Sequence, residues 1–141
     1  MTTISKVDTD MIDRILELKK RCGFSDEIGK THQLTMGDVD CISAIAAYQP
    51  LRSKELAEYM SLSPSRGSRI VGRLLQRGLV TMHPDNLDRR SMVISLTKEG
   101  STCFEAVQQE KLQCEERILK ALSVEEQQTV RKGLELLLHV I

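Results

Sequence analysis

The chain has 141 residues, 40% of them apolar and only 3% aromatic, and its 20 Lys and Arg balance 20 Asp and Glu. That length fits one domain with a real core and excludes the bulk of a multi-domain enzyme, and no apolar run approaches the roughly 20 residues of a membrane span. Cys22, Cys41, Cys103 and Cys114 contain no CxxC pair, and Met1 to Lys6 is followed by Asp8, Asp10 and Asp13 instead of an apolar core, so the expectation is a cytoplasmic protein with reduced thiols and no signal peptide.

In chain order, Met11, Ile12, Ile15, Leu16 and Lys19 keep the spacing of one helical face, and Gly23 offers a stop, which predicts a first helix over about 8–21. Residues 24–33 mix Ser25, Asp26, Gly29 and Thr31 with few apolar side chains and read as a loop or short helical turn. Thr35 can cap a second helix with Val39, Ile42, Ala46 and Ile45 inward, ending near Tyr48 because Pro50 restricts Gln49. Ser53 to Met60 carries a one-sided stripe of Leu56, Ala57 and Met60, barely two turns long.

A strong helix start follows at Ser63-Pro64, where the serine oxygen can accept from first-turn N–H groups and proline loses no bond. Ile70, Val71 and Leu74 form the buried stripe of that helix, over about 64–77, and Gly78 ends it. Leu79 to Met82 and Met92 to Leu96 are β-prone runs joined by a polar loop, a hairpin. Thr97 caps a long helix with Phe104, Val107, Cys114, Ile118 and Leu122 at helical spacing, reaching Ala121, although Gly100 weakens its first turn. Ser123 with Glu126 is a capping box opening a last helix that carries Val130, Leu134, Leu137, Leu138 and Ile141.

The zero net charge is unevenly distributed. Residues 52–90 hold eight Lys and Arg against four Asp and Glu, a surplus that suits phosphate contact, and acidic flanks restrain indiscriminate binding. Two helices joined at Ser61-Leu62-Ser63 and followed by a hairpin with arginines near its tip form a winged helix for duplex DNA.

On the second of these helices Ser65, Arg69, Gly72 and Gln76 point away from the buried face, with Ser68 and Arg73 beside them, chemistry suited to base edges. Arg66 opposes the helix dipole in the first turn, which calls for an anion nearby. Gly67 lies on the buried face, where it lets the preceding helix cross closely, and Gly72 faces outward. In the wing, Arg89 and Arg90 are placed to lay a guanidinium along the minor groove, with Asp88 bracing Arg90.

These motifs, Leu34-Thr35, Leu56-Ala57, Leu62-Ser63-Pro64-Ser65, Ser68-Arg69, Arg73-Leu74, Arg77-Gly78-Leu79-Val80, Asp88-Arg89-Arg90 and Leu96-Thr97-Lys98-Glu99-Gly100, resemble those of the MarR family of winged helix-turn-helix transcriptional regulators over nearly the whole chain. The resemblance implies a mainly α fold with a small antiparallel β-wing. It implies one domain over 1–141, with a DNA-binding lobe at about 34–97 and dimerisation helices in about 1–33 and 98–141.

It also implies that Asp88 and Arg90 pair at the wing tip, Arg90 entering the minor groove, while Ser65, Arg66, Ser68 and Arg69 read the major groove. The expected DNA contacts are thus Ser63, Ser65, Arg66, Ser68, Arg69, Arg73, Asp88, Arg89 and Arg90. Arg66, Gly67 and Gly72 depart from the residues usual in the family, so the operator is expected to differ from its common ones.

The first and last helices carry more apolar side chains than a small winged helix covers, and Met11, Ile15, Leu134, Leu137, Leu138 and Ile141 form the expected homodimer seam on a pseudo-palindromic operator. The function implied is a dimeric repressor released by a small effector, with Arg14, Cys22, His32, Met36 and Tyr48 on segments lining the effector cleft. A redox regulator with Cys22 as sensor, beside Lys19, Lys20 and Arg21, is the first alternative, and a winged-helix protein-interaction module without DNA binding the second. Cys103 and Cys114 are read as small packing groups. Cys22, His32 and Asp40 form no tight metal-ligand motif, no cofactor is expected, and scattered histidines without a nucleophile motif argue against an enzyme.

Overall fold

The computed structural model describes residues 8–141; Met1 to Val7, and with them the expectation about the amino terminus, lie outside the described residues. Helix α1 (Asp10–Cys22) stops at Gly23, whose φ of 65° is the left-handed conformation that a helix end needs and glycine adopts without strain. Residues 24–32, read from sequence as a loop or short turn, form a helix, α2 (Phe24–His32), with acids in its first turn and Lys30 and His32 in its last, as the dipole favours. Two apolar side chains anchor it, Ile28, fully buried in the core, and Phe24, partly buried against it, and one pair four residues apart is too short a pattern to read as a helix.

Helix α3 (Met36–Tyr48) is the centre of the lobe. Its capping box is reciprocal: the Asp38 N–H donates to Thr35 Oγ1 at 3.1 Å and the Thr35 N–H donates to Asp38 Oδ2 at 3.0 Å. Val39, Cys41, Ile42 and Ile45 are buried, whereas Ala46 is half-buried. Past Tyr48 the chain bends at Gln49 and Pro50, joined by a cis peptide bond, and enters a short strand, β1 (Leu51–Arg52), which sequence reading did not resolve because two residues carry no alternation. Helices α4 (Ser53–Tyr59) and α5 (Pro64–Gln76) form the helix-turn-helix, and strands β2 (Val80–Pro84) and β3 (Met92–Leu96) form the hairpin.

The sheet has order β1-β3-β2, all antiparallel, with Leu51 opposite Ile94 and Val80 opposite Leu96. β1 therefore ties the base of the wing to the end of α3. Ile28, Ile42, Ile45, Leu56, Leu74 and Ile94 are the largest fully buried side chains, each stabilising the lobe by about 1.5–3 kcal/mol.

Helices α6 (Lys98–Ala121) and α7 (Val124–Val140) follow, capped as expected by Thr97 and by the Ser123–Glu126 box. Over its 24 residues α6 buries only Gly100 and Val107, so the expected inward face is met only in its first half; Ile118 is exposed and Cys114 half-buried. Helices α1 and α7 bury no residue at all. The chain thus has a packed lobe and two amphipathic helices whose apolar faces are left largely exposed, only Ile15 and Leu137 being half-buried.

Candidate nucleic-acid interface

The turn between α4 and α5 is set by backbone: Ser61 takes a φ of 53°, and the Leu62 N–H donates to the Ala57 carbonyl at 3.0 Å. Ser63 caps α5, accepting from the Arg66 N–H at 3.3 Å, with Pro64 in the first turn. Gly67 faces Ala57, and a Cβ there would sit 3.1 Å from the alanine methyl, so the close crossing of α4 and α5 depends on its absence. Because Gly67, Val71 and Leu74 point inward, Ser65, Arg66, Ser68 and Arg69 are left exposed on the opposite surface. Among the described residues no carboxylate pairs with Arg66 or Arg69.

Arg73 differs from the expectation of a free DNA contact. One of its terminal nitrogens donates to Asp38 Oδ1 at 2.7 Å, making a strut from α5 to the start of α3, and half of its side chain stays exposed. Asp38 itself is 4% exposed. Burial pushes its pKa up, but the Arg73 hydrogen bond and the Thr35 N–H pull harder in the other direction and hold it below the ordinary carboxylate value. Arg77 donates to the carbonyls of His32 and Gln33, both at 2.8 Å, and so closes the end of α2. Such ties join residues more than 30 positions apart and leave no local signal.

The wing tip is organised by short side-chain to backbone bonds. Asp85 Oδ1 accepts from the Leu87 N–H and Asp88 Oδ1 from the Arg90 N–H, each at 3.1 Å, while the Asp85 N–H reaches the Ser91 carbonyl at 2.8 Å. Asp88 therefore braces Arg90 through its backbone and not through its guanidinium, a correction to the expected side-chain pair. Arg89 and Arg90 are exposed, without a carboxylate partner among the described residues. The ion pair that does form is Arg52 with Asp85 at 2.8 Å, unforeseen because β1 was; it lowers the Asp85 pKa and fixes the base of the loop.

The effector candidates separate. A cleft of about 520 Å³ between α1, α2 and α6 is lined by Cys22, Phe24, Glu27, Glu110, Cys114 and Arg117, among others. His32 stands behind its wall, Nε2 3.0 Å from Glu110 Oε1, and the other carboxylate oxygen of Glu110 is buried without a partner. Arg14, Met36 and Tyr48 do not line this cleft. Arg14 pairs with Asp10 on the solvent side of α1, and Tyr48 stacks on Tyr59 at 4.5 Å between ring centroids. Burial pushes the Cys41 thiol up to about 12 and raises that of Cys103, which makes both poor nucleophiles. Among the described residues no three His, Cys, Asp or Glu side chains converge to hold a metal, and no helix is long and apolar enough to cross a membrane.

A helix-turn-helix with a basic exposed face, followed by a sheet-anchored wing with arginines at its tip, defines a winged-helix DNA-binding protein. Residues 32–91 match the MarR family. Over 106 residues the chain is 30% identical to an uncharacterized HTH-type transcriptional regulator of Bacillus cereus, covering 75% of this chain and 70% of that one. Its fold resembles that of the YusO protein from Bacillus subtilis, with 25% identity and a TM-score of 0.74 over 97% of this chain and 100% of that one. It also resembles the fold of MepR in an S. aureus MepR–DNA complex, with 19% identity and a TM-score of 0.75 over 94% and 98%. The chain belongs to the MarR family: it is a DNA-binding transcriptional regulator and not an enzyme.

Proposed function

We propose that the protein is a homodimeric repressor that occupies a pseudo-palindromic operator and is released by a small-molecule effector. The observation that carries the reading is the set of uncompensated cations, Arg66 and Arg69 on α5 and Arg89 and Arg90 on the wing, displayed by elements that are themselves tied down. Recognition-helix side chains, with Ser63, Ser65 and Ser68, meet the major groove, Arg73 steadies their helix from Asp38, and Arg90 enters the minor groove, where the backbone brace from Asp88 leaves its guanidinium free. The apolar faces of α1 and α7, with Met11, Ile15, Leu134, Leu137, Leu138 and Ile141, form the two-fold seam. Residues 34–97 act as the DNA-binding lobe of one domain that works in the cytoplasm.

The effector reading rests on the cleft at Cys22 and Glu110. A buried carboxylate oxygen without a donor destabilises the protein by about 1–3 kcal/mol, and a ligand bearing an N–H or O–H group relieves that. The reading as a whole is tested by titrating duplexes selected from a randomised pool at several salt concentrations. Wild type should lose affinity steeply with salt, and Arg90→Ala should weaken binding to all duplexes alike, by roughly tenfold, with a salt slope lower by about one. Full-strength, unchanged binding by Arg90→Ala would refute the wing assignment.

A further inference from the structure

Glu110 is held in the wall of the cleft between α1, α2 and α6 with only half of its carboxylate served. A carboxylate only accepts, so Oε1 takes the N–H of His32 Nε2 at 3.0 Å, while Oε2 is buried without a partner. Being buried, Oε2 finds a donor only if the side chain turns into the cleft, and that turn breaks the bond to His32. Two arrangements therefore compete: Glu110 tied to α2 with one oxygen unserved, or turned to the cleft with both oxygens open to donors.

His32, the last residue of α2, is also held from the recognition helix. Arg77, directly after α5, donates to the carbonyls of His32 and Gln33. Gln33 has a φ of 54°, a left-handed conformation that a residue other than glycine keeps only where its surroundings hold it. Glu110, His32 and Arg77 thus form one line of bonds from the cleft to the end of α5.

We propose that the cleft takes a small molecule bearing an amidinium or guanidinium group, which draws Glu110 off His32, and that the loosened end of α2 then releases Arg77 and with it the carboxyl-terminal end of α5. The inference rests on the effector reading above and gives it a ligand class and a route. A planar fork of N–H donors matches both carboxylate oxygens at once, which a single imidazole N–H cannot. Glu27 and Glu116 in the lining offset Arg117 and Lys120, and Phe24 supplies aromatic surface for the apolar part of the ligand. A ligand shifts an equilibrium only by its preference for one state, and a fork that needs both oxygens binds only the untied one.

The test uses the full chain on its selected operator, with benzamidine as the probe, neutral benzamide as its control of similar shape, and ionic strength held constant. Benzamidine at saturation should lower wild-type operator affinity roughly tenfold, and benzamide should leave it unchanged. His32→Ala and Arg77→Ala each remove a link. Both should weaken operator binding roughly tenfold with no ligand present and lose little more when benzamidine is added. In calorimetry both should bind benzamidine more tightly than wild type, because the tie no longer opposes it; loss of a residue that merely supports the fold would weaken benzamidine and operator alike. Glu110→Gln should lose benzamidine binding. Benzamidine that fails to bind wild type, benzamide that acts as well, or link variants that keep the full wild-type response would each overturn the inference, while steep salt-dependent operator binding would leave the DNA-binding reading intact. A chain that selects no operator would remove that reading and the route with it.

Discussion

Gly72 and Gly100 are both helical glycines, yet their surroundings give them opposite meanings. At Gly72 an added Cβ meets nothing within 4 Å, whereas at Gly100 it would overlap the Leu79 carbonyl, the same oxygen that accepts from the Thr97 N–H at 3.1 Å. Gly100 is what lets the first turn of α6 lie against the strand entry, so its weak helix propensity is outweighed by a backbone contact. Gly100→Ala should destabilise the protein by about 3 kcal/mol or more, because backbone and not a flexible side chain must move. Gly72→Ala should stabilise it by about 1 kcal/mol through helix propensity alone. Urea denaturation of the two variants side by side checks both signs. Equal effects would mean that propensity, not the contact, governs these positions.

Between elements, the strut from Arg73 to Asp38 joins the recognition helix to the helix at the centre of the lobe. Asp38 serves two donors, Arg73 through Oδ1 and the Thr35 N–H through Oδ2, and an asparagine can accept from only one of them. Asp38→Asn should therefore cost about 1–3 kcal/mol near neutral pH. Because the folded pKa of Asp38 lies below its unfolded value, its contribution is complete above the unfolded pKa and is lost as pH falls through the folded one. The gap between wild type and Asp38→Asn should thus close below about pH 4 in denaturation series at stepped pH; a gap that persists there would remove the ionised pair as its cause. Elements whose cause is local were legible in the sequence: the caps at Thr35, Ser63, Thr97 and Ser123, the Pro64 start and the hairpin all stand where their residues place them. Those whose cause is a distant partner were not. Helix α2 is held by one buried isoleucine and by Arg77 some 45 residues on, β1 exists because β3 pairs with it, and Arg73 turns inward for an acid 35 residues away.

For the molecule as a whole, the proposed homodimer rests on the unburied apolar faces. Met11, Val130, Gly133, Leu134, Leu136, Leu137 and Val140 form an almost wholly apolar groove of about 540 Å³, and Leu138 and Ile141 project beyond it, 79% and 95% exposed. Monomeric proteins rarely leave so continuous an apolar patch in water, and an isologous pairing of α1 and α7 about a two-fold axis covers both copies at once. In the proposed homodimer the same axis would turn two winged lobes toward two half-sites, so that a modest affinity per lobe would become a high one for the pair. Placing charge in the groove should separate these effects. Leu134→Glu with Leu137→Glu should sediment as a monomer at micromolar concentration and keep its helix content, since the lobe's core lies elsewhere. Its affinity for the full operator should fall by about 10²-fold or more, the size of an avidity that two linked lobes supply and one cannot. Its affinity for an isolated half-site should stay near that of wild type. A variant that remains dimeric with full operator affinity would move the seam away from α7, and one that loses half-site affinity as well would show that the two helices support the fold of the lobe itself.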